Sequence, residues 1–569
     1  MKTFKKYFWG FIALSLLAVP GCKDPIDQGV GGETDIRTIR ITNAGMTGIE
    51  TIEGTVTGKT IEFTIPIETN IEAIRFAAFM SLGASFEKET YNFLDGHELS
   101  DTTLTHTVKI INGINYAYYE VTLHLSEPII VAPLVDELIT TAGGRNIEAV
   151  VDHNTNVIYL GLADIDEAEI VQLVLRPART KYEFTEAVGN RLHRSNPGSL
   201  KLDFLGKTTE YQISFEVAVT AGVDFLGAIV HDFSTATTMY PVFTGDMTRS
   251  ADFDGEHVLI VYRNAPRVHR VTDLLAGNIN NPIMLDVNPE IVSGGTHIMS
   301  AGRLSHGRVF ITNLVTALGP DGEGETLTVY YYETPTSAPQ IVLAYNLDPE
   351  IASGPRLGDN MSVNLNESGD GFVYFVSQDG MAILRFTVRN FTEFSDPFAF
   401  RTNVDFSFYA FINQVEPSRN LITSTTRRTI QMIDDDGNRL FEFDKMPREG
   451  ITMPNMENAW GTDVRIINHN RARYMIMAAP RRFAFNAPPG LLIYDISRGF
   501  NLMAALGNYQ ESVHSENPPM PVYVYSMPDA PTAAANAANT NWAIVDGRLV
   551  VFVSVTNAGF TLIEFPNNE

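Results

Sequence analysis

A glycine turn that runs straight into an apolar strand recurs through the C-terminal half of the chain, and this repeat limits the fold more than any other feature. Gly371-Phe372-Val373-Tyr374-Phe375-Val376-Ser377 is the cleanest copy. Asp254-Gly255-Glu256-His257-Val258-Leu259-Ile260-Val261, His306-Gly307-Arg308-Val309-Phe310-Ile311 and Asp546-Gly547-Arg548-Leu549-Val550-Val551-Phe552-Val553 follow it closely. Two looser copies, Arg419-Asn420-Leu421-Ile422-Thr423 and Arg471-Ala472-Arg473-Tyr474-Met475-Ile476-Met477, fill the gap between them. Six copies at intervals of about 50 to 75 residues predict a radially repeated all-β architecture, a β-propeller of about six blades over residues 223–569. A seventh blade is expected only if Phe225 to Tyr240 contributes strands of its own.

The strands of this half are continuous apolar runs such as Ile383–Phe386 and Val550–Val553. That texture belongs to strands covered on both faces, as a blade is between its neighbours. A second repeat agrees: Leu285-Asp286-Val287-Asn288-Pro289-Glu290-Ile291 is echoed by Leu347-Asp348-Pro349-Glu350-Ile351, each shortly before the next glycine turn.

Upstream of Gly222 the period changes to two. Ile61, Phe63, Ile65 and Ile67 alternate with polar residues, as do Tyr119, Val121, Leu123 and Leu125, which marks antiparallel strands with one apolar face. Residues 34–127 suit an immunoglobulin-like β-sandwich, and residues 128–222 repeat its plan. Val157–Leu160 stands where Thr60–Ile67 does, and Ile213–Val219 where Tyr119–Leu125 does. The expected fold is therefore all-β: tandem immunoglobulin-like sandwiches followed by a propeller.

The N-terminus speaks to compartment. Lys2, Lys5 and Lys6 precede an apolar run from Phe8 to Val19, too short for a comfortable membrane span and typical of a signal peptide over residues 1–21. It ends in Leu17-Ala18-Val19-Pro20-Gly21-Cys22, and Cys22 is the only cysteine of the 569 residues. No internal disulfide can form, so a lone cysteine behind an apolar leader reads as a lipid attachment point. Residues 22–33 are a polar, glycine-containing tether with Asp24, Asp27 and Glu33. Removing residues 1–21 takes three lysines and no acid from a net charge of −26, giving −29. A body of that charge excludes nucleic acid as a partner, since binding it needs a basic footprint.

This layout of lipobox, β-sandwiches and C-terminal propeller resembles surface lipoproteins of the Bacteroides type whose domains are of unknown function. It is similar in plan to the accessory lipoproteins of starch-utilisation-like systems, where sandwiches hold a glycan-binding module away from the membrane. The resemblance implies an outer-membrane lipoprotein, surface-exposed or else facing the periplasm, held to the membrane through its lipid and binding a glycan or an outer-membrane protein. It brings no motif from which a functional residue can be carried over.

Catalytic motifs are sparse. Ser250-Ala251-Asp252-Phe253-Asp254-Gly255 misses a sialidase aspartate box by one residue, and its plainer reading is a blade turn. Asp434-Asp435-Asp436-Gly437-Asn438 has hard oxygens for calcium but lacks EF-hand spacing, and reads as a hairpin turn. The 12 histidines show no zinc spacing. No catalytic residue, metal site or cofactor is assigned. The ligand-binding candidates are aromatic and amide side chains: Trp460 with Asn458, Trp542 with Asn541, and Tyr331, where an indole or phenol face and an amide suit a sugar ring. The expectation is a non-catalytic binding protein. The competing readings are a propeller glycosidase or lyase using channel carboxylates, and a scaffold subunit of an outer-membrane complex.

Overall fold

The computed structural model describes residues 33–568 apart from 46–49, 98–100, 127–131, 163, 178, 218–220, 235–246, 264, 317–324, 347–355, 379, 407–408, 425–428, 445–461, 480–489, 514, 516–517 and 528–536. The chain is all-β, with six four-stranded antiparallel sheets in its C-terminal half and two further β units before them.

The six sheets form a closed ring. Their innermost strands are Thr248–Phe253, His297–Ser305, Ser362–Leu365, Ala410–Glu416, Val464–His469 and Ala538–Val545, and each lies beside the next, with the last returning to the first. We number the blades one to six in that order. All six copies of the repeat form the second strand of their blade, for example Gly371–Val376 in blade three and Arg548–Val555 in blade six. The reason these strands are apolar throughout is visible in their packing. Val373 and Phe375 enter the core shared with blade two, whereas Phe372, Tyr374 and Val376 enter the core shared with blade four. Alternate residues thus serve two cores, so no position is left for a polar side chain. The outermost strand of the same blade, Glu393–Arg401, holds only half-buried and exposed residues instead.

Phe225 to Tyr240 does supply a strand, Ile229–Ser234, but it adds no seventh blade. It pairs antiparallel with Gly559–Phe565 and becomes the outer edge of blade six, so the two ends of this half close the ring in a single sheet. Closure in this way leaves no long inner edge open for pairing with another chain.

In the first β unit, Ile36–Ser126, seven strands run in one hydrogen-bonded order around a core containing Phe63, Phe93, Val121 and Leu123. The second unit, Leu134–Ser214, places a five-stranded and a four-stranded sheet around a core with Leu138, Ile158, Leu200 and Tyr211. The two share one pairing. Thr60–Pro66 runs parallel to the closing strand, Thr60 facing Glu120, and Val157–Tyr159 runs parallel to its own closing strand, Val157 facing Gln212. Phe204 of the second unit is buried in the first unit's core, and Arg179 Nη1 donates to Ile67 O at 2.9 Å.

Among the described residues the longest helix is Leu502–Val513, which lays Leu502, Leu506, Tyr509 and Val513 against the core between blades four and five.

Candidate functional site

Three places merit comparison: the axis of the ring, the face where inner strands begin, and the face where they end.

The axis is filled. Asn541 Nδ2 of blade six donates to Asp252 Oδ1 of blade one at 3.0 Å, and Leu304 N of blade two donates to Asp252 Oδ2 at 2.9 Å. Arg303 Nη2 donates to Asn360 Oδ1 at 2.8 Å, and Asn360 Nδ2 to Ala410 O of blade four at 2.5 Å. Asn413 Nδ2 donates to Asp463 Oδ1 at 2.6 Å, whose Oδ2 accepts from Thr540 N of blade six at 3.0 Å. These bonds make an unbroken circuit through all six blades. Arg303 also lies 5.3 Å from the centre of the Phe411 ring. Burial pushes the Asp252 carboxyl up against the opposing pull of Arg303 and Arg465. Buried charges of this kind hold only because each is hydrogen-bonded and opposed by another.

At the face where inner strands begin, side chains from four blades meet. Arg249 Nη1 donates to Tyr409 Oη at 2.9 Å, Arg263 Nη1 lies 2.5 Å from His297 Nε2, and Arg356 grips Asp359 through Nε and Nη2 at 2.5 Å each. Arg263 is 7% exposed, and its Nε has no hydrogen-bond partner. Burial and the neighbouring Arg249 lower its pKa. Burial and Arg263 also lower that of His297, which suits a neutral imidazole accepting from the guanidinium. This is a local concentration of positive charge on a chain whose net charge is −26.

The face where inner strands end carries the turns of the repeat, and here the ring meets the second β unit. Arg176 reaches out of that unit, donates through Nε to Asp136 Oδ1 at 3.0 Å, and pairs with Asp136 through Nη2 as well. It then crosses to blade four, with Nη2 on Glu416 Oε2 at 2.9 Å and Nη1 on Pro417 O at 2.5 Å. Arg419 Nη1 completes the group on Glu416 Oε2 at 2.8 Å. Burial would raise the Glu416 carboxyl, but Arg176 and Arg419 hold it at about 2. Beside this group, Asn154 Nδ2 bonds Asn468 O of blade five. Gly222 N donates to Asn470 O at 2.9 Å, and Asn470 Nδ2 returns a bond to Gly222 O at 2.8 Å. The segment joining the two halves is thereby laced to the blade-five turn.

A cleft of about 310 Å³ opens beside that lacing. One wall is the outer face of the Val150–Asp152 and Val157–Tyr159 hairpin. Val151 and Ile158 point into the core, so Asp152 and Tyr159 are left facing the ring. The other wall is the blade-five turn with Asn468, Arg471 and Arg473, closed at one end by Phe500.

The ligand candidates among the described residues form no common site. Trp460, Asn458 and the lipid-attachment residue Cys22 lie outside the described residues. Trp542 is half-buried against the core between blades five and six, and its neighbour Asn541 is a strut of the axial circuit. Tyr331 corrects its expectation outright: it is 6% exposed and packs on Phe310 at 5.3 Å in the core between blades two and three, so no face is left for a ligand. Tyr330 and Tyr332, pointing the opposite way, hydrogen-bond Ser293 O and Asp286 O. Asp434–Asn438 closes a hairpin, Asp434 Oδ1 accepting from Asp436 N and Asn438 N. Among the described residues no cluster of His, Cys, Asp or Glu has the arrangement of a metal site.

What sequence reasoning missed is the joint, and the signal was present. The two looser copies of the repeat, at Arg419 and Arg471, are the two turns that touch the second β unit.

Comparison with known proteins fits this architecture. The family model described as Domain of unknown function (DUF4623) matches residues 26–155 and 198–568. A DUF4623 family protein from Bacteroides eggerthii, known as a crystal structure, is similar at 23% identity and a TM-score of 0.53, over 94% of this chain and 99% of that one. More distant are a streptogramin B lyase (10% identity, TM-score 0.32, 60% and 99% covered) and a protein of unknown function from Bacteroides thetaiotaomicron (14%, 0.30, 70% and 94%). No curated relative matches the sequence.

Proposed function

We propose a function from the premise that the chain belongs to the DUF4623 family, a domain described as of unknown function, so its role has to be read from its own surfaces. It is a lipid-anchored protein of the outer membrane, exposed at the cell surface, whose ring binds a carbohydrate or a protein partner without catalysing a reaction. Cys22 behind its apolar leader is the anchor, residues 22–33 are the tether, and the two N-terminal units are immunoglobulin-like spacers.

The observation that carries this reading is the docking side. The spacers seat on the face of the ring where inner strands end, through Arg176, Glu416 and Asn468. The opposite face, with Arg249, Arg263, Arg356 and Tyr409, is therefore turned away from the tether. Catalysis by channel carboxylates is the weaker reading, because Asp252 and Asp463 are both committed to the axial circuit. Glycoside hydrolysis needs a carboxyl pair free to reach substrate.

Binding of the soluble chain from Lys23 onward to a glycan array, run beside a pull-down from outer-membrane extract, tests the proposal. A retained glycan or a single stoichiometric partner is expected; turnover of a polysaccharide would overturn the non-catalytic assignment. Cys22→Ser is expected to move the protein from the membrane to the soluble fraction. Unchanged fractionation would defeat the anchor.

A further inference from the structure

The geometry points to a saccharide-binding cleft at the joint between the second β unit and blade five, a site separate from the outward face of the ring. Four observations converge on it.

First, the cleft is lined by hydrogen-bonding groups of both signs, the carboxylate of Asp152 and the guanidinium groups of Arg471 and Arg473. Asp152 Oδ1 caps the turn by accepting from Asn154 N at 3.0 Å and Thr155 N at 3.3 Å, while its Oδ2 is buried and has no hydrogen-bond partner. Across from it Arg473 donates through Nε to Asn468 Oδ1 at 3.0 Å and through Nη1 to Asn501 O at 3.1 Å, both neutral acceptors.

Second, the polar groups are flanked by two rings, Tyr159 on one wall and Phe500 at the end. Aromatic planes beside interleaved donors and acceptors match a pyranose, which has apolar C–H faces and a rim of hydroxyls. A volume of about 310 Å³ is room for one or two sugar rings. Asp152 argues against an anion, since its carboxylate would face the ligand without a paired cation in hydrogen-bond contact.

Third, the turn that presents the arginines is conformationally costly. Asn470 and Arg471 have φ of +46° and +61°, the two positive values of a tight hairpin turn whose second position favours glycine. The equivalent positions of blades two and six are Gly307 and Gly547. An arginine held there at a cost of roughly 1–2 kcal/mol puts an exposed guanidinium on the cleft rim, where glycine would put nothing. Fourth, the site lies between two rigid β units, a common place for ligand clefts.

The test is calorimetric titration of the soluble chain from Lys23 onward with neutral gluco-, galacto-, manno- and xylo-oligosaccharides of two and three rings, with inorganic phosphate as the anionic probe. Asp152→Asn and Phe500→Ala are expected to weaken binding of the preferred sugar at least tenfold, and Arg471→Gly about threefold. Melting temperatures of the variants separate lost binding from lost folding, and Arg471→Gly is the variant expected to fold without penalty. Saccharide binding that all three well-folded variants retain would place the ligand elsewhere and overturn the cleft, while leaving the proposed binding function intact. No response to any neutral sugar up to about 10 mM, or tighter binding of phosphate than of sugar, would overturn it as well.

Discussion

Four of the inner turns of the ring keep their glycine and two do not, and the difference separates scaffold from interface. In blades one, two, three and six the turn uses Gly255, Gly307, Gly369 and Gly547, all at positive φ. Around Gly547 nothing approaches within 4 Å of where a Cβ would be, so its glycine is there for conformation alone. In blades four and five the same turn is built from Ser418 at +55° and from Asn470 and Arg471 at +46° and +61°. Those are the turns that receive Arg176 and frame the cleft. Where the ring only has to turn, the residue with the freest backbone is used; where it has to make contact, side chains are kept despite the backbone cost.

The largest effect expected from this contrast is at Arg176. Arg176→Ala would remove one of the two arginines opposing Asp136 and Glu416 and leave Arg419 to hold both, a loss of up to about 3–5 kcal/mol. It should split thermal unfolding into separate transitions for the N-terminal units and the ring. Arg548→Ala, beside the glycine-bearing turn of blade six, removes a half-exposed partner of Glu564 at 3.3 Å and is expected to cost less than about 1 kcal/mol. Equal losses in the two variants, measured by calorimetry and denaturant titration, would dissolve the distinction between the turns.

A smaller effect, of opposite sign in the two classes, is expected from exchanging the turn residues themselves. Gly547→Ala at φ +78° should destabilise by about 1 kcal/mol, since the site is sterically open and only the backbone conformation opposes a side chain. Arg471→Gly should stabilise by up to about 1 kcal/mol, the relief of its left-handed conformation being partly offset by the added freedom of the unfolded chain. Destabilisation by Arg471→Gly would show that its side chain holds the joint rather than facing the cleft.

These contrasts also explain how far the sequence could be read. The ring was legible because its strands repeat a local pattern: each second strand must feed two cores, which forces continuous apolar runs such as Gly371–Val376 at a regular spacing. The axial circuit left a fainter trace: Asp252, Arg303, Asn413 and Asn541 are polar residues inside four of the inner strands, and Asn360 and Asp463 stand just ahead of the other two. The joint left none of that kind, because Arg176 and Glu416 are 240 residues apart and neither belongs to a repeat. Tyr331 misled for a local reason. An aromatic run on a strand gives both faces to cores when the strand is sandwiched, so Tyr330 and Tyr332 serve one core and Tyr331 the other. Departure from the repeat at Arg419 and Arg471 was the usable signal, and it points to contact rather than to chemistry.

The smallest effect expected separates two carboxylate groups near the joint by pH. Glu416 is held at about 2 against an ordinary 4.5. A carboxyl depressed in the folded state contributes stability above its unfolded pKa and loses it as pH falls from about 4.5 toward 2. Glu68 and Asp434 are opposite cases, each raised to about 6, chiefly by burial and with Asp435 and Asp436 nearby adding to the rise. Their protonated forms favour the folded state, so acidification from pH 7 to about 5.5 should stabilise the protein by less than about 1 kcal/mol for each. A melting temperature that rises slightly over that interval and falls only below about pH 4.5 is the expected profile. Glu68→Gln should abolish part of the rise and leave the acid limb unchanged, whereas Glu416→Gln should remove the acid limb's dependence on this joint. A monotonic fall from pH 7 downward would mean that Glu68 and Asp434 are not raised in the folded state, since the pairs around Glu416 change stability only below about pH 4.5.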